Sequence, residues 1–135
     1  MSDLDYAGFW RRALAATLDN AVWFFGVLMI LGWLPVNASQ ISNTAAYIGM
    51  VVVLSLWFNY FAFSEWRWGQ TIGKNATRLE VRSVDGAELT YRQASIRNVL
   101  RPIDFFGIGE LMIVASKRKQ RLGDKAAKSV VLNRA

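Results

Sequence analysis

The sequence predicts an all-α membrane protein with two transmembrane helices, a broken re-entrant or third membrane segment, and a small cytoplasmic β-hairpin. Two long apolar stretches and a one-sided distribution of basic residues carry this prediction. The 135 residues are 53% hydrophobic and include six Trp and eight Phe, whereas soluble domains are usually roughly 45–50% apolar. We therefore interpret residues 1–135 as a single membrane domain.

Two stretches are long enough to cross the hydrocarbon core of a bilayer. Residues 13–34 would form about 33 Å of helix, with Asp19 as a polar member deep in the stretch. Residues 45–64 would form about 30 Å, with Asn59 near the far end. The linker, residues 35–44, contains no charged residue. The pattern therefore predicts a hairpin of two membrane-spanning helices.

A second interpretation takes residues 1–38 as a cleaved signal peptide, because small residues precede Ser39. The apolar stretch is longer than the roughly 7–15 residues of a signal core, and it contains Asp19. Cleavage would also leave only one clear span. We therefore favour the two-helix hairpin.

The basic residues predict the orientation of this hairpin. Arg11 and Arg12 precede the first span, and the next seven basic residues all follow the second: Arg67, Lys74, Arg78, Arg82, Arg92, Arg97 and Arg101. Lys and Arg accumulate on the cytoplasmic side of membrane proteins. We expect a cytoplasmic N-terminus, an external linker, and cytoplasmic residues after the second span.

Residues 78–91 predict a small cytoplasmic β-hairpin. Apolar and polar residues alternate from Leu79 to Arg82, and Asp85-Gly86 is a strong hairpin-turn signal. The β-branched run KSVVLN could add a third strand, because a two-stranded ribbon is marginally stable. The preceding GQTIGK lacks the spacing and the Ser or Thr of a phosphate loop, so no nucleotide site is expected.

Residues 92–116 are harder to assign. Their apolar part, residues 103–115, is short for a span and contains Asp104 and Glu110. A crossing would also place the basic tail, residues 117–135, outside the cell, against the charge bias. We favour a broken helix that re-enters or lies in the interface, shielded by the two spans, and a third span stays open as the alternative.

Asp19 predicts a polar centre inside the membrane. It lies seven residues deeper than Arg12, about 10.5 Å, on nearly the same helix face. An ionised carboxylate at that depth is costly unless it is protonated or paired. Arg97 and Arg101 are the candidate partners, and three further polar residues have a similar predicted depth: Asn20, Asn59 and Asp104. A direct bond between Arg12 and Asp19 would be strained, and simple anchoring at the interface is the alternative role of Arg12.

Four sequence blocks occur in an informative order. They are FWRRALAATLDN, GQTIGKNATRLEVRSVDG, RQASIRNVLR and KRKQRLGDKAAKSVVL. Together they resemble the RDD family of small bacterial membrane proteins over nearly the whole chain, which implies the bacterial inner membrane. The resemblance implies that the family's arginine is Arg12, its first aspartate Asp19, and its second aspartate Asp124, with Asp104 as the alternative. Lys128-Ser129 stand where the family usually has Gly-Thr, which puts the role of that turn in doubt.

The resemblance implies transport of poorly defined ligands, including sodium/proton exchange in some members. The first functional hypothesis is therefore a transporter or channel subunit for a monovalent cation, a proton or another small ligand. Asp19 would bind and release the ion, and Arg12, Arg97 or Arg101 would set its pKa. Two spans enclose little space, so we expect a homo-oligomer, with Ala45-x-x-x-Gly49 as a candidate contact.

Two other classes of function remain. In the first, the protein is a structural or accessory membrane subunit, its Arg and Asp side chains hold helices together, and its basic tail contacts anionic lipid headgroups. In the second, Asp19, Asp104 and Glu110 serve a membrane enzyme, although no spacing identifies a nucleophile. The chain has no Cys and no His, so we expect no zinc site, no Ser-His or Cys-His catalysis, no cofactor, and no enzyme. Nucleic-acid binding is not expected either, because the basic residues follow membrane topology.

Overall fold

The computed structural model describes residues 5–33, 41–103 and 109–134. The helices are α1 (Phe9–Trp33), α2 (Asn43–Trp68), α3 (Ile72–Ala76), α4 (Tyr91–Val99), α5 (Arg101–Ile103), α6 (Gly109–Ala115) and α7 (Leu122–Ala126). The strands are β1 (Leu79–Ser83) and β2 (Ser129–Asn133). Among these residues, α1 and α2 are the two helices long and apolar enough to cross a membrane.

The two predicted apolar helices are confirmed. With 25 and 26 residues, α1 and α2 are each about 38 Å long, which exceeds the roughly 30 Å core of a bilayer. Only 11% of the most apolar 18-residue window of each helix is buried, whereas the core helix of a soluble protein would be mostly covered. Trp10 and Trp33, near the two ends of α1, are 81% and 91% exposed. Interfacial aromatic residues of membrane helices occupy such positions.

Both helices extend beyond the predicted stretches. α1 begins at Phe9 instead of residue 13, so Arg12 lies within its first turns. α2 continues past Ser64 to Trp68 and ends where Gly69 adopts the left-handed conformation with φ 65°. Glycine adopts this conformation without the steric cost that other residues carry. The extra turn of α2 brings Glu65 into the protein interior, where it is fully buried.

The two-stranded antiparallel sheet is confirmed, but the predicted pairing within residues 78–91 is wrong. β1 pairs with β2, with Val81 opposite Val131. The turn at Asp85-Gly86 does form, since the Gly86 amide donates to the Ser83 carbonyl at 2.9 Å. After the turn, Thr90 caps α4 in a reciprocal capping box with Gln93, so the chain enters a helix instead of a second strand.

Most of the short elements form one cap, which we define as residues 69–99 together with 116–133. The segment before α1 adds to it: the Ala7 amide donates to the Val131 carbonyl at 2.9 Å, and Tyr6 bridges Leu132. A small apolar core ties the cap to α1 and consists of Ala7, Ala15, Leu79, Val81, Leu89 and Val131. α3 packs on α1 and α4 packs on α2, so the cap covers the N-terminal turns of α1 and the C-terminal turns of α2.

Three short helices occur in the described part of the region predicted as a re-entrant or third membrane segment, on either side of residues 104–108. α4 has nine residues, α5 three and α6 seven. Each is shorter than the roughly 20 residues that a span needs. Asp104 lies outside the described residues. Whether residues 103–115 enter the membrane stays a prediction.

Candidate functional site

A chain of buried ion pairs joins five helices at the cap. Arg97 of α4 lies at its centre, with Nε 2.9 Å from Glu65 Oε2 and Nη1 3.1 Å from Asp124 Oδ1. Arg12 of α1 extends the chain through Nη2, 2.5 Å from Asp124 Oδ2, and Lys74 of α3 pairs with the other oxygen of Glu65. The chain Lys74–Glu65–Arg97–Asp124–Arg12 therefore connects α3, α2, α4, α7 and α1.

Neutral groups complete the coordination of both carboxylates. The Asn98 amide donates to Glu65 Oε2 at 3.0 Å, and the Arg121 backbone N–H donates to Asp124 Oδ2 at 3.0 Å. Asp124 is the third residue of α7 and so caps the start of that helix. Burial by itself would raise the pKa of Asp124, but Arg12, Arg97 and Arg121 together lower it well below its ordinary value. Asp124 is therefore a charged anchor and not a proton carrier near neutral pH.

Asp19 lies in a separate arrangement, about two turns beyond Arg12 along α1. It is fully buried, and its Oδ2 accepts a hydrogen bond from Thr71 Oγ1 at 2.6 Å. Its Oδ1 accepts from the Gly73 backbone N–H at 2.7 Å and from the Tyr60 hydroxyl at 3.4 Å. All three of these donors, from the described part of the chain, are neutral. The expectation that Arg97 or Arg101 pairs with Asp19 is therefore wrong, because Thr71 and Gly73 of α3 donate to this carboxylate instead.

Gly73 makes this close approach of α3 to α1 geometrically feasible. A Cβ at this position would lie 2.1 Å from the Ala15 carbonyl oxygen and 2.9 Å from Asp19 Cγ. Backbone atoms cannot move aside cheaply at such distances. In this arrangement only glycine fits at position 73. Because glycine has no side chain, its amide can approach Asp19 closely enough to donate a hydrogen bond.

Arg101 has a different environment from the other buried cations. It is 8% exposed, and its guanidinium carbon lies 3.6 Å from the ring centre of Phe61 and 5.7 Å from that of Trp57. Its hydrogen bond to Asn98 Oδ1 is long, at 3.4 Å. Within the described residues, no carboxylate oxygen lies within 4 Å of Arg101. Aromatic faces attract this cation but do not neutralise it.

A small cavity lies between these groups. Its volume is about 70 Å³, and five charged residues line it: Arg12, Asp19, Lys74, Arg101 and Arg121. A larger apolar groove of about 710 Å³ runs between α1 and α2 and is bordered by Trp23, Phe24, Val53, Trp57 and Pro102. Arg101 borders both spaces. The polar cavity is therefore adjacent to the groove between the two long helices.

Lys74 links the cavity to the ion-pair chain. Its pKa is lowered from 10.5 to about 7, chiefly by burial and in smaller part by Arg97, Arg101 and Arg121, against the opposing effect of Glu65. Its ammonium can thus lose its proton near neutral pH.

Among the described residues, no group of three or more His, Cys, Asp or Glu side chains could hold a metal ion.

The predicted site residues separate into three groups. Arg12, Arg97 and Asp124 come together in the ion-pair chain, whereas Asp19 and Arg101 line the cavity. Asn59 was predicted to belong to the polar centre around Asp19. The structure places it elsewhere: it is exposed and donates to the Ser55 carbonyl of its own helix at 2.8 Å. Asp104 lies outside the described residues.

The sequence analysis missed Glu65, Lys74, Thr71, Gly73 and Asn98. Glu65 directly follows the predicted second span, and a charged residue at that position is normally interpreted as the first residue exposed to solvent. Thr71, Gly73 and Lys74 belong to the GQTIGK segment, which we considered as a phosphate loop and as part of a block that resembles the family, without a role for the single residues. A carboxylate at the end of a span, followed nine residues later by a lysine, was the available signal for the Glu65–Lys74 pair.

Comparison with known proteins gives one match. A family model described as "RDD family" matches residues 6–128, a range that includes α1, α2 and the cap up to the residue before β2. The matched range contains every charged residue of the site: Arg12, Asp19, Glu65, Lys74, Arg97, Arg101, Arg121 and Asp124. No curated protein and no solved structure matches the chain. The match and the two apolar helices together indicate a membrane protein.

Proposed function

The chain belongs to the RDD family, and from this premise we propose that it is a multi-pass protein of the bacterial cytoplasmic (inner) membrane. α1 and α2 are the spans, and the N-terminus and the cap face the cytoplasm. The exposed basic residues support this orientation, because they lie in the first turn of α1, at the end of α2 or in the cap: Arg11, Arg67, Arg78, Arg92, Lys117, Arg118 and Lys119.

Single-cysteine labelling tests this topology, because the chain has no native Cys. A membrane-impermeant maleimide added to whole cells should label Ser39→Cys in the linker and leave Asn75→Cys in the cap unlabelled until the cells are opened. The reverse pattern would refute the orientation.

Within this topology the protein acts as a transporter or channel subunit for a small charged solute, without chemical turnover. The observation that carries this proposal is the cavity with five charged side chains at the cytoplasmic ends of two spans. Polar and ionisable residues are expensive in a membrane, and they mark solute pathways in many membrane proteins. The adjoining groove between α1 and α2 gives the cavity a route towards the bilayer interior.

Flux through purified protein in liposomes tests this function. Wild type should move ions or protons, and Asp19→Asn, which removes a negative charge from the cavity wall, should change the flux at least tenfold while keeping size and melting temperature near those of wild type. Glu88→Gln is the matched control, because Glu88 is exposed in the cap and away from the cavity. Absence of flux in folded wild type would refute transport by this chain alone.

A homo-oligomer follows from the same reasoning, since two spans enclose no complete pathway. The outer face of α2 is available for a second copy: Ala45 is exposed, and a Cβ at Gly49 would meet no atom within 4 Å. Small residues at this spacing allow close helix contact. Gly49→Leu should shift detergent-solubilised protein towards the monomer in light scattering, whereas Gly26→Leu in α1 should not.

A structural or accessory role is the second candidate, and the complete ion-pair chain favours it. All five of its charged groups have partners, as expected for side chains that hold helices in place. The exposed Lys117, Arg118 and Lys119 would then contact anionic headgroups. Enrichment of phosphatidylglycerol in gently extracted protein, lost on changing these three residues to Gln, tests the lipid contact.

A further inference from the structure

We propose that the cavity beside Arg101 binds a small inorganic anion, of the class of phosphate, sulfate or chloride. This inference rests on the proposed transport function and names the class of solute. It stands on the charges around the cavity, on the occupation of the carboxylate oxygens, and on the position of Arg101.

The buried charges around the cavity are predominantly positive. Among the described residues, three buried carboxylates, those of Asp19, Glu65 and Asp124, face four buried cations, those of Arg12, Lys74, Arg97 and Arg101. Arg121, whose side chain is 18% exposed and whose Nε lies 3.8 Å from Asp124 Oδ2, also lines the cavity wall. A cation entering the cavity would increase this excess, whereas an anion would reduce it.

The carboxylate oxygens offer little to an entering cation. Asp19 is the one carboxylate on the wall among the described residues, and its two oxygens already accept three hydrogen bonds at 2.6, 2.7 and 3.4 Å. Sodium or potassium needs several oxygen ligands with lone pairs directed at the ion. Binding at Asp19 would therefore require Thr71 and the Gly73 amide to withdraw.

The hydrogen-bond donors, by contrast, are in surplus. A guanidinium has five N–H groups, and towards the described residues Arg101 uses one in a long contact to Asn98. An ammonium has three, and within the same part of the chain Lys74 has one carboxylate partner, Glu65, which Arg97 shares. A buried cation without a counter-ion is costly. An anion in the cavity would accept from Arg101 and Lys74 together and remove that cost.

The dimensions favour a free anion over a lipid. A phosphate headgroup could approach Arg101 along the apolar groove, but the cation-lined space has a volume of only about 70 Å³, and its walls include Arg12 and Arg121 beyond Arg101. A small inorganic anion can contact several of these cations at once.

Anion titration of the full chain in a nonionic detergent tests the inference. Sodium gluconate supplies the background, and sodium phosphate, sulfate or chloride is titrated in calorimetry and thermal melting. We expect at least one of the three to give saturable binding and a higher melting temperature. Arg101→Gln should weaken this binding at least tenfold. Arg92→Gln is the matched control, because Arg92 is an exposed arginine of α4 away from the cavity, and it should bind as wild type does.

If Arg101→Gln does not fold, Arg101→Lys and Lys74→Met provide the same test with smaller changes in charge or volume, and each should weaken anion binding. Three results would overturn the inference: saturable binding of sodium or potassium without any anion effect, equal anion binding in wild type and the folded variants, or a response only to phosphatidylglycerol vesicles.

The two proposals fail in distinguishable ways. Anion binding in detergent with no flux in liposomes would keep the site and remove transport. Flux of sodium or protons with no anion binding would keep transport and remove the anion inference.

Discussion

Gly73→Ala should destabilise the protein more than a methyl addition at Gly8, Gly26, Gly32, Gly49, Gly69 or Gly86. The new Cβ would lie 2.1 Å from the Ala15 carbonyl oxygen and 2.9 Å from Asp19 Cγ, so α3 must move away from α1. Overpacking costs about 1–3 kcal/mol, and losing the Gly73 amide bond to the Asp19 carboxylate costs about 1.5–3 kcal/mol. We expect the free energy of unfolding to fall by about 3–5 kcal/mol.

Titration of SDS into protein in mild detergent micelles measures this change. Gly26→Ala is the matched control, because a Cβ there meets no atom within 4 Å. It should raise stability by up to about 1 kcal/mol through helix propensity. The double variant Gly73→Ala with Asp19→Asn should lose less than the sum of the single losses, since both act on one contact. A Gly73→Ala protein within about 0.5 kcal/mol of wild type would refute the close approach of α3 to α1.

Three further predictions test the ion-pair chain and the sheet. Arg97→Gln should cost about 3–5 kcal/mol in SDS unfolding, because it leaves two carboxylates short of a counter-charge, and adding Glu65→Gln should recover at least about 0.5 kcal/mol; additive losses would contradict the pair. The melting temperature of wild type should rise between pH 6.5 and 9. The pKa of Lys74 is lowered to about 7 on folding, so in this range the unfolded chain binds the proton more tightly than the folded one. Lys74→Arg, which stays charged, should not show that rise, and identical pH profiles would contradict the assignment. Val131→Ala in the buried face of β2 should cost about 2 kcal/mol in the same unfolding assay, and Glu88→Ala in the falsely predicted second strand should cost less than about 0.5 kcal/mol; equal losses would support the 78–91 hairpin instead.

Sequence reasoning located the spans because their signal is local. Length and apolar content are properties of consecutive residues, so α1 and α2 could be predicted to within about four residues at each end. The turn at Asp85-Gly86 is local too, and it forms. The partner of β1 is a different matter. β1 pairs with β2 because this pairing buries Val130 and Val131, some fifty residues further along the chain. The residues around the turn contain no signal for a pairing at that distance.

The partners of Asp19 escaped prediction for a related reason. Sequence logic searched for a positive charge, because an ionised carboxylate at that depth needs one. The structure instead supplies two hydroxyls and a backbone amide. The Thr71 hydroxyl and the Gly73 amide reach Asp19 only because α3 lies against α1. Asp124 was identified through the family resemblance, since nothing in its local spacing predicts an ion pair with Arg12 more than a hundred positions earlier.

The polar residues of α1 therefore hold two different parts of the cap on one helix face. Arg12 fixes α7 through Asp124, and Asp19, about 10.5 Å further along, fixes α3 through Thr71 and Gly73. The consequences of changing them differ. Replacing Arg12 with Gln leaves a buried carboxylate short of a counter-charge. Asp19→Asn can keep its acceptor towards the Gly73 amide, and the Thr71 hydroxyl can rotate to accept from the new amide. Of these two changes, Asp19→Asn alters the charge of the cavity with less disturbance of the cap. A change in flux in this variant therefore reports on the charge, whereas a change in flux in an Arg12 variant would also reflect disruption of the ion-pair chain.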